Sequence, residues 1–275
     1  MHPRSLRSAV RAFAHGLALA GALVLTTPQP AHAIVGGINA TEPYGWMVAI
    51  SQPGYVGSFC SGSLIAPTWV LTAAHCVASI ANPAAVSVRV GSPNRNAGGV
   101  TSLAVRLIPS RDYDPWTLTN DFALIQLRDA MPQRPIELAD EGPAPGDRAR
   151  VLGWGQRCPT RGCDRGSDAL QELDAVVVPN GRCAGRAQPA TAFCVLGADG
   201  RSACFGDSGG PALIAVEGRW MLAGDTRWAQ PLRHHLGHDR HQSVRVPRRD
   251  RERHRLGVTR VRRGRIGPAE PFLLR

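Results

Sequence analysis

The sequence predicts an all-β fold, and three observations carry that prediction. Short apolar or alternating runs recur from Ile34 to about Gly224; Gly, Pro, Asn and Asp break them at near-regular intervals; and no long helical periodicity interrupts them. Both a barrel and a sandwich fit this texture. The first expected strand, Met47–Ser51, is an apolar run that ends before Pro53-Gly54. Ser63–Ile65 and Trp69–Thr72 follow, separated by Pro67, and Val86–Val90 alternates up to Gly91. Leu103–Ile108 stops at Pro109, and Ala123–Leu127 lies between Asp121 and Asp129. Arg148–Leu152 ends at Gly153, Gln171–Val178 at Pro179, and Pro211–Val216 sits between Gly209-Gly210 and Gly218.

Charge and composition limit what else the chain can be. Every one of its 32 basic residues is Arg; Lys is absent. A net charge of +11 ordinarily suggests a polyanionic partner. From Asp225 onward, however, 14 Arg face 5 acidic residues, so nearly all of the excess belongs to the end of the chain. There apolar periodicity disappears, and a run such as Arg248–Arg255 buries too little apolar surface to offset its ordering entropy. Residues 225–275 are expected to be an irregular Arg-rich tail with no specific nucleic-acid or membrane role.

The first 33 residues read as an export signal. Arg4, Arg7 and Arg11 precede an apolar stretch from Gly16 to Thr27, and Ala31-His32-Ala33 supplies a small-x-small cleavage pattern. The apolar run falls short of the roughly 20 residues of a membrane span. Export implies a secreted, extracellular protein whose cysteines form disulfides. The seven cysteines are an odd number, so one is left over.

Three separated stretches carry chemistry. Gly206-Asp207-Ser208-Gly209-Gly210-Pro211 is a glycine-rich turn that can expose a serine and aim backbone N–H groups at one oxygen. Leu71-Thr72-Ala73-Ala74-His75-Cys76 offers a base, and Asn120-Asp121-Phe122-Ala123-Leu124 a carboxylate to hold it. Their order is His, Asp, Ser, with separations of 46 and 87 residues. In motifs, order and spacing the chain resembles the chymotrypsin/trypsin-like serine proteases.

The resemblance implies two six-stranded antiparallel β-barrels and a serine endopeptidase acting on protein or peptide substrates as a monomer, with no cofactor or metal. His75, Asp121 and Ser208 would be the catalytic triad, and the N–H groups of Gly206 and Ser208 the oxyanion hole. Ile34-Val35-Gly36-Gly37 is similar to the family's mature N-terminus, whose ammonium would pair with Asp207. Ser202 would lie at the base of the specificity pocket, where an acid would favour basic side chains; a serine leans toward apolar or aromatic ones. Disulfides Cys60–Cys76 and Cys183–Cys194 match the family, Cys158–Cys163 is a local pair, and Cys204 is left unpaired. The alternative is a non-catalytic relative that binds partners through the same fold.

The resemblance stops after Trp220–Gly224. Back-translated and shifted by one base, Gln242–Asp250 permits Ser-Pro-Ser-Val-Tyr-Leu-Asp-Val-Thr, and Leu232-Arg233 permits a cysteine that could pair with Cys204. A reading-frame shift near Gly224 is therefore expected. The domain 34–224 would have an incomplete second barrel, fold poorly and turn over slowly.

Overall fold

A strand covered on both faces needs apolar residues at every position, and several strands of this chain are of that kind. The computed structural model describes residues 34–52, 57–158, 162–182, 192–198, 201–228 and 242–245; the expected export signal, Cys183 and most of 225–275 lie outside these. After a two-residue strand β1 (Ile38–Asn39), β2 (Met47–Ser51), β3 (Cys60–Ala66), β4 (Trp69–Thr72), β5 (Ser87–Val90), β6 (Val100–Pro109) and β7 (Ala123–Leu127) form a closed antiparallel barrel. Its order is β2-β3-β4-β7-β6-β5.

The second sheet contains β8 (Arg148–Gly153), β9 (Gln171–Val178), β10 (Ala192–Gly197), β11 (Pro211–Val216), β12 (Arg219–Trp228) and β13 (Gln242–Arg245). Each pairs antiparallel with the next in the circuit β8-β9-β10-β13-β12-β11-β8, and β1 adds to the outside of β9. β12 continues to Trp228, and β13, inside the segment expected to be irregular, pairs with β10 (Cys194 opposite Ser243) and with β12 (Thr226 opposite Val244). Backbone pairing is indifferent to the arginines on either side of those four residues.

Alternation along the strands assigns the core. In β2, Val48 and Ile50 point into the first barrel, while Met47 and Ala49 point the other way. Val70 and Ile125 join the first set, and Trp69, Leu71 and Leu124 the second. From the other side, Val151, Ala212 and Ile214 fill the second barrel, whereas Leu152, Leu213 and Leu222 face outward into the same layer as Met47 and Leu71. That shared layer cements the two barrels. Each fully buried Leu there stabilises the pairing by roughly 2 kcal/mol.

Candidate active site

The catalytic candidates sit where the chain crosses this seam. Past β4 it makes a single helical turn, α1 (Ala74–Val77), which carries His75, and a Cys60–Cys76 disulfide fastens that turn to β3. Asp121 stands two residues before β7, at the end of a tightly wound loop. In it the Asp114 carboxylate accepts from the Trp116 N–H (2.8 Å) and the Thr117 hydroxyl (2.7 Å), and the Asn120 amide donates to the Asp112 carbonyl (2.8 Å). Leu118 and Asn120 both have φ of +54°, a conformation that asparagine tolerates and leucine adopts only under constraint. The loop delivers a fully buried carboxylate. Oδ1 of Asp121 accepts the backbone N–H of His75 at 2.8 Å, and Oδ2 lies 2.7 Å from its Nδ1. A carboxylate so placed holds the proton on Nδ1 and leaves Nε2 as the acceptor.

Two neighbours of Asp121 had no signal in the sequence. Burial, aided by the Asp121 charge, pushes the Tyr113 phenol up to about 12. Arg227 is buried on β12 and donates to the Leu118 carbonyl at 2.6 Å. Burial depresses its guanidinium pKa, and the fields of Asp121 and Asp225 partly restore it. Arg227 stands in none of the three sequence stretches that carry the chemistry, so none of them flagged it.

The Ser208 turn comes from the second barrel and is stitched to the first. The Ser61 N–H donates to the Ser208 carbonyl (2.8 Å), the Ser61 hydroxyl to the Gly206 carbonyl (3.2 Å), and the Thr72 hydroxyl to the Ser61 carbonyl (2.8 Å). Sγ of Cys76 lies 3.7 Å from His75 Nε2 and 3.9 Å from the Ser208 carbonyl oxygen, so the ring and the turn share a neighbour. The approach requires glycine. At Gly209, with φ of +75°, a Cβ would sit 2.5 Å from the Ser61 oxygen and closer still to the Thr72 hydroxyl. Along the turn, the N–H groups of Asp207, Gly209 and Gly210 donate to Cys204, Thr226 and Asp207 carbonyls respectively. Those of Gly206 and Ser208 find no acceptor among the described residues. Two free donors flanking one serine are what a developing oxyanion needs.

Beneath the turn lies Asp207, fully buried. Its oxygens accept the N–H groups of Gly155 and Cys204, both at 2.7 Å, and a Cβ on Gly155 would come within 2.5 Å of the carboxylate. Among the described residues no cation faces it, and desolvation pushes its pKa up to about 7 despite the two donors. Ile34 is also buried, with φ of +58°, and the chain beside it is held by the Ser202 N–H to the Val35 carbonyl (3.1 Å). Ser202 is thus buried against the entering chain. Among the described residues Ile34 and Asp207 share no hydrogen bond or ion pair here, where Ile34 is still joined to Ala33 and carries an amide rather than an ammonium.

This has a measurable consequence. An acid whose folded pKa is raised favours the fold when protonated, and the unfolded chain releases its proton first. With Ile34 still joined to Ala33, stability therefore falls as pH rises from about 4 to about 7, by roughly 4 kcal/mol at most. Urea unfolding at pH 4.5 and 7.5 is expected to show this loss, and Asp207→Asn is expected to remove it. An Asn variant with an unchanged slope would show that Asp207 is not the source.

Cys158 and Cys163 are joined, and Cys194 is disulfide-bonded, its expected partner Cys183 lying outside the described residues. Cys204 is a buried free thiol, pushed up to about 11 chiefly by burial. Two close donor groups, Cys60–His75–Cys76 and Cys158–Cys163–Asp164, have their sulfurs in disulfides and so present no thiolates to a metal.

A double-barrel scaffold carrying these groups on its seam defines the class as serine-type endopeptidases, and comparison with known proteins agrees. The sequence model of the trypsin family matches residues 34–235. Trypsin Blo t 3 of Blomia tropicalis is 33% identical over 213 residues, covering 71% of this chain and 76% of that protein. A trypsin of Sarcophaga bullata is 35% identical over 206 residues, with coverage of 71% and 78%. Trypsin beta of Drosophila erecta is 32% identical over 212 residues, with coverage of 73% and 80%. The chain belongs to the trypsin family of chymotrypsin-like serine proteases.

Proposed function

We propose that the chain is a secreted endopeptidase in which Ser208, His75 and Asp121 act as one catalytic unit. Ser208 Oγ attacks the scissile carbonyl carbon while its proton passes to His75 Nε2. The carbonyl oxygen, now negative, is held by the N–H groups of Gly206 and Ser208. Collapse of the tetrahedral species breaks the C–N bond, the leaving amine takes the proton from Nε2, and an acyl-serine remains. Water, giving its proton to the same nitrogen, reverses the sequence and releases the acid. Asp121 keeps the ring oriented and stabilises the imidazolium throughout.

The observation that carries this reading is the buried Asp121 carboxylate 2.7 Å from His75 Nδ1, beside a serine turn with two unengaged N–H groups. Removal of residues 1–33 would create an ammonium at Ile34, and Asp207, buried with no cation against it among the described residues, is the charge it would meet. Ser202, uncharged in the pocket base, favours an apolar or aromatic residue before the cleaved bond. Among the described residues no helix is long and apolar enough to cross a membrane, which agrees with a secreted product.

A fluorophosphonate probe tests the reading. It is expected to label the processed chain once, at Ser208, with labelling lost in Ser208→Ala and sharply slowed in His75→Ala. A folded, processed chain that resists the probe would leave the non-catalytic binding role as the better account.

A further inference from the structure

Asn39 to Tyr44, just downstream of the proposed new terminus, is fastened far more heavily than Ile34 to Ile38. β1 is only two residues long and both are exposed, too little to hold a chain end by itself. Beyond it, the Ala40 N–H donates to the Leu170 carbonyl (2.9 Å) and the Gln171 amide to Asn39 Oδ1 (2.6 Å). The centre of the attachment is Glu172, only 2% exposed. Its carboxylate accepts the Thr41 N–H (3.0 Å), the Thr41 hydroxyl (2.9 Å) and the Tyr44 hydroxyl (2.8 Å), and lies 3.4 Å from Arg150 Nη1. Arg150 in turn donates to the Tyr44 hydroxyl (2.8 Å), to Glu42 (3.1 Å) and to Asp174 (2.6 Å), and stacks on Trp220 at 4.7 Å. A carboxylate is buried this deeply only when its oxygens are satisfied, and three of the four contacts to Glu172 come from the segment following β1.

We propose that Glu172 is a positioning residue for the protease: with Arg150 it anchors Thr41–Tyr44, so that a chain end cut before Ile34 stays within reach of Asp207. This rests on the activation reading given above. An ammonium on a short tether meets its carboxylate at a high effective concentration, and lengthening the loose segment lowers that concentration. Upstream of β1 Ile34 is buried, but the one backbone bridge to the rest of the fold among the described residues is Val35–Ser202, the Gly37 N–H to Ile34 carbonyl bond being internal to the segment.

The signature lies in the alkaline limb of activity. An α-ammonium ordinarily titrates near 8, and pairing with Asp207 raises that value. The pairing is present below the raised pKa and is lost as pH climbs through it. A weakened anchor brings the limb back toward about 8. The groups facing Glu172 do not confuse this window. Burial and the Glu172 hydrogen bond hold the Tyr44 phenol above its usual range. Arg150 is also raised, its bonds to Asp174 and Tyr44 outweighing burial, while Glu42 and Asp174 are acids. Asp207 is faced by the Cys204 thiol, itself pushed up to about 11, and Arg201 lies beside Gly36.

Because the chain has no lysine, the Ile34 α-amine is the one amine the processed protein would contain, and acetic anhydride labelling reads its burial directly. Glu172→Gln, in processed enzyme, is expected to lower the alkaline limb by about one pH unit and to speed labelling about tenfold. Tyr44→Phe and Thr41→Val, which each remove one hydroxyl, are expected to shift both readouts the same way by less, and they decide the matter if Glu172→Gln does not fold. Unchanged limb and labelling in the folded variants overturn the anchor, provided Asp207→Asn shifts both. If Asp207→Asn shifts neither, the activation reading itself fails and the anchor falls with it.

Discussion

Asp121→Asn is expected to lower kcat about 10⁴-fold at neutral pH with the fold intact, the magnitude this triad shows elsewhere in the family. The reason lies in two contacts. Oδ1 takes the backbone N–H of His75 and Oδ2 faces Nδ1. An asparagine satisfies the first with its single oxygen and so turns its NH₂ toward the ring. Nδ1 must then accept, the ring proton moves to Nε2, and Nε2 can no longer take the proton from Ser208. Turnover of a peptide amide measures the loss, and unfolding in urea confirms that structure is retained. A folded Asn variant within tenfold of the parent would mean that Asp121 is not the residue orienting His75.

Gly209→Ala is expected to destabilise by more than about 4 kcal/mol, while Gly218→Ala costs only about 1–2 kcal/mol. The two glycines share a φ of +75°, so the backbone penalty is common to both. They differ in surroundings. A Cβ at Gly218 meets nothing within 4 Å, whereas at Gly209 it would press on the Ser61 carbonyl, the Thr72 hydroxyl and, at 2.8 Å, the Ala73 amide nitrogen. Those atoms belong to the first barrel and cannot move without parting β3 from the Ser208 turn. Denaturation midpoints of the pair measure the difference, and equal losses would show that backbone conformation alone sets the cost.

Much of the candidate site was legible because the chemistry proposed for it forces residue types into fixed company. A nucleophilic serine needs glycines beside it, and His75 and Asp121 stand in recognisable local strings. Strand positions were legible where apolar residues dominate, as in β2, β4 and β7. They were missed where small polar residues are buried. β3 begins at Cys60 rather than Ser63 because Ser61 lies against the other barrel, its hydroxyl and N–H engaged across the seam, while Gly62 packs on Ile50, Val70 and Leu71 of its own barrel. β10 was missed, and β13 was hidden by the arginines around it, since strand pairing across long separations leaves little trace in local composition. Glu172 was illegible for the same reason: Gln171-Glu172-Leu173-Asp174 reads as an ordinary strand, and only the partners brought by residues 41–44 and Arg150 reveal that one acid is inside and the next outside.

β13 completes its ring from a distance: residues 229–241 separate it from β12, and β10 waits on its other side. Until those four residues dock, β10 and β12 present two raw strand margins able to capture any extended peptide, including one from another copy. A molecule shortened before Gln242 would lack this strand and would keep an open and adhesive seam.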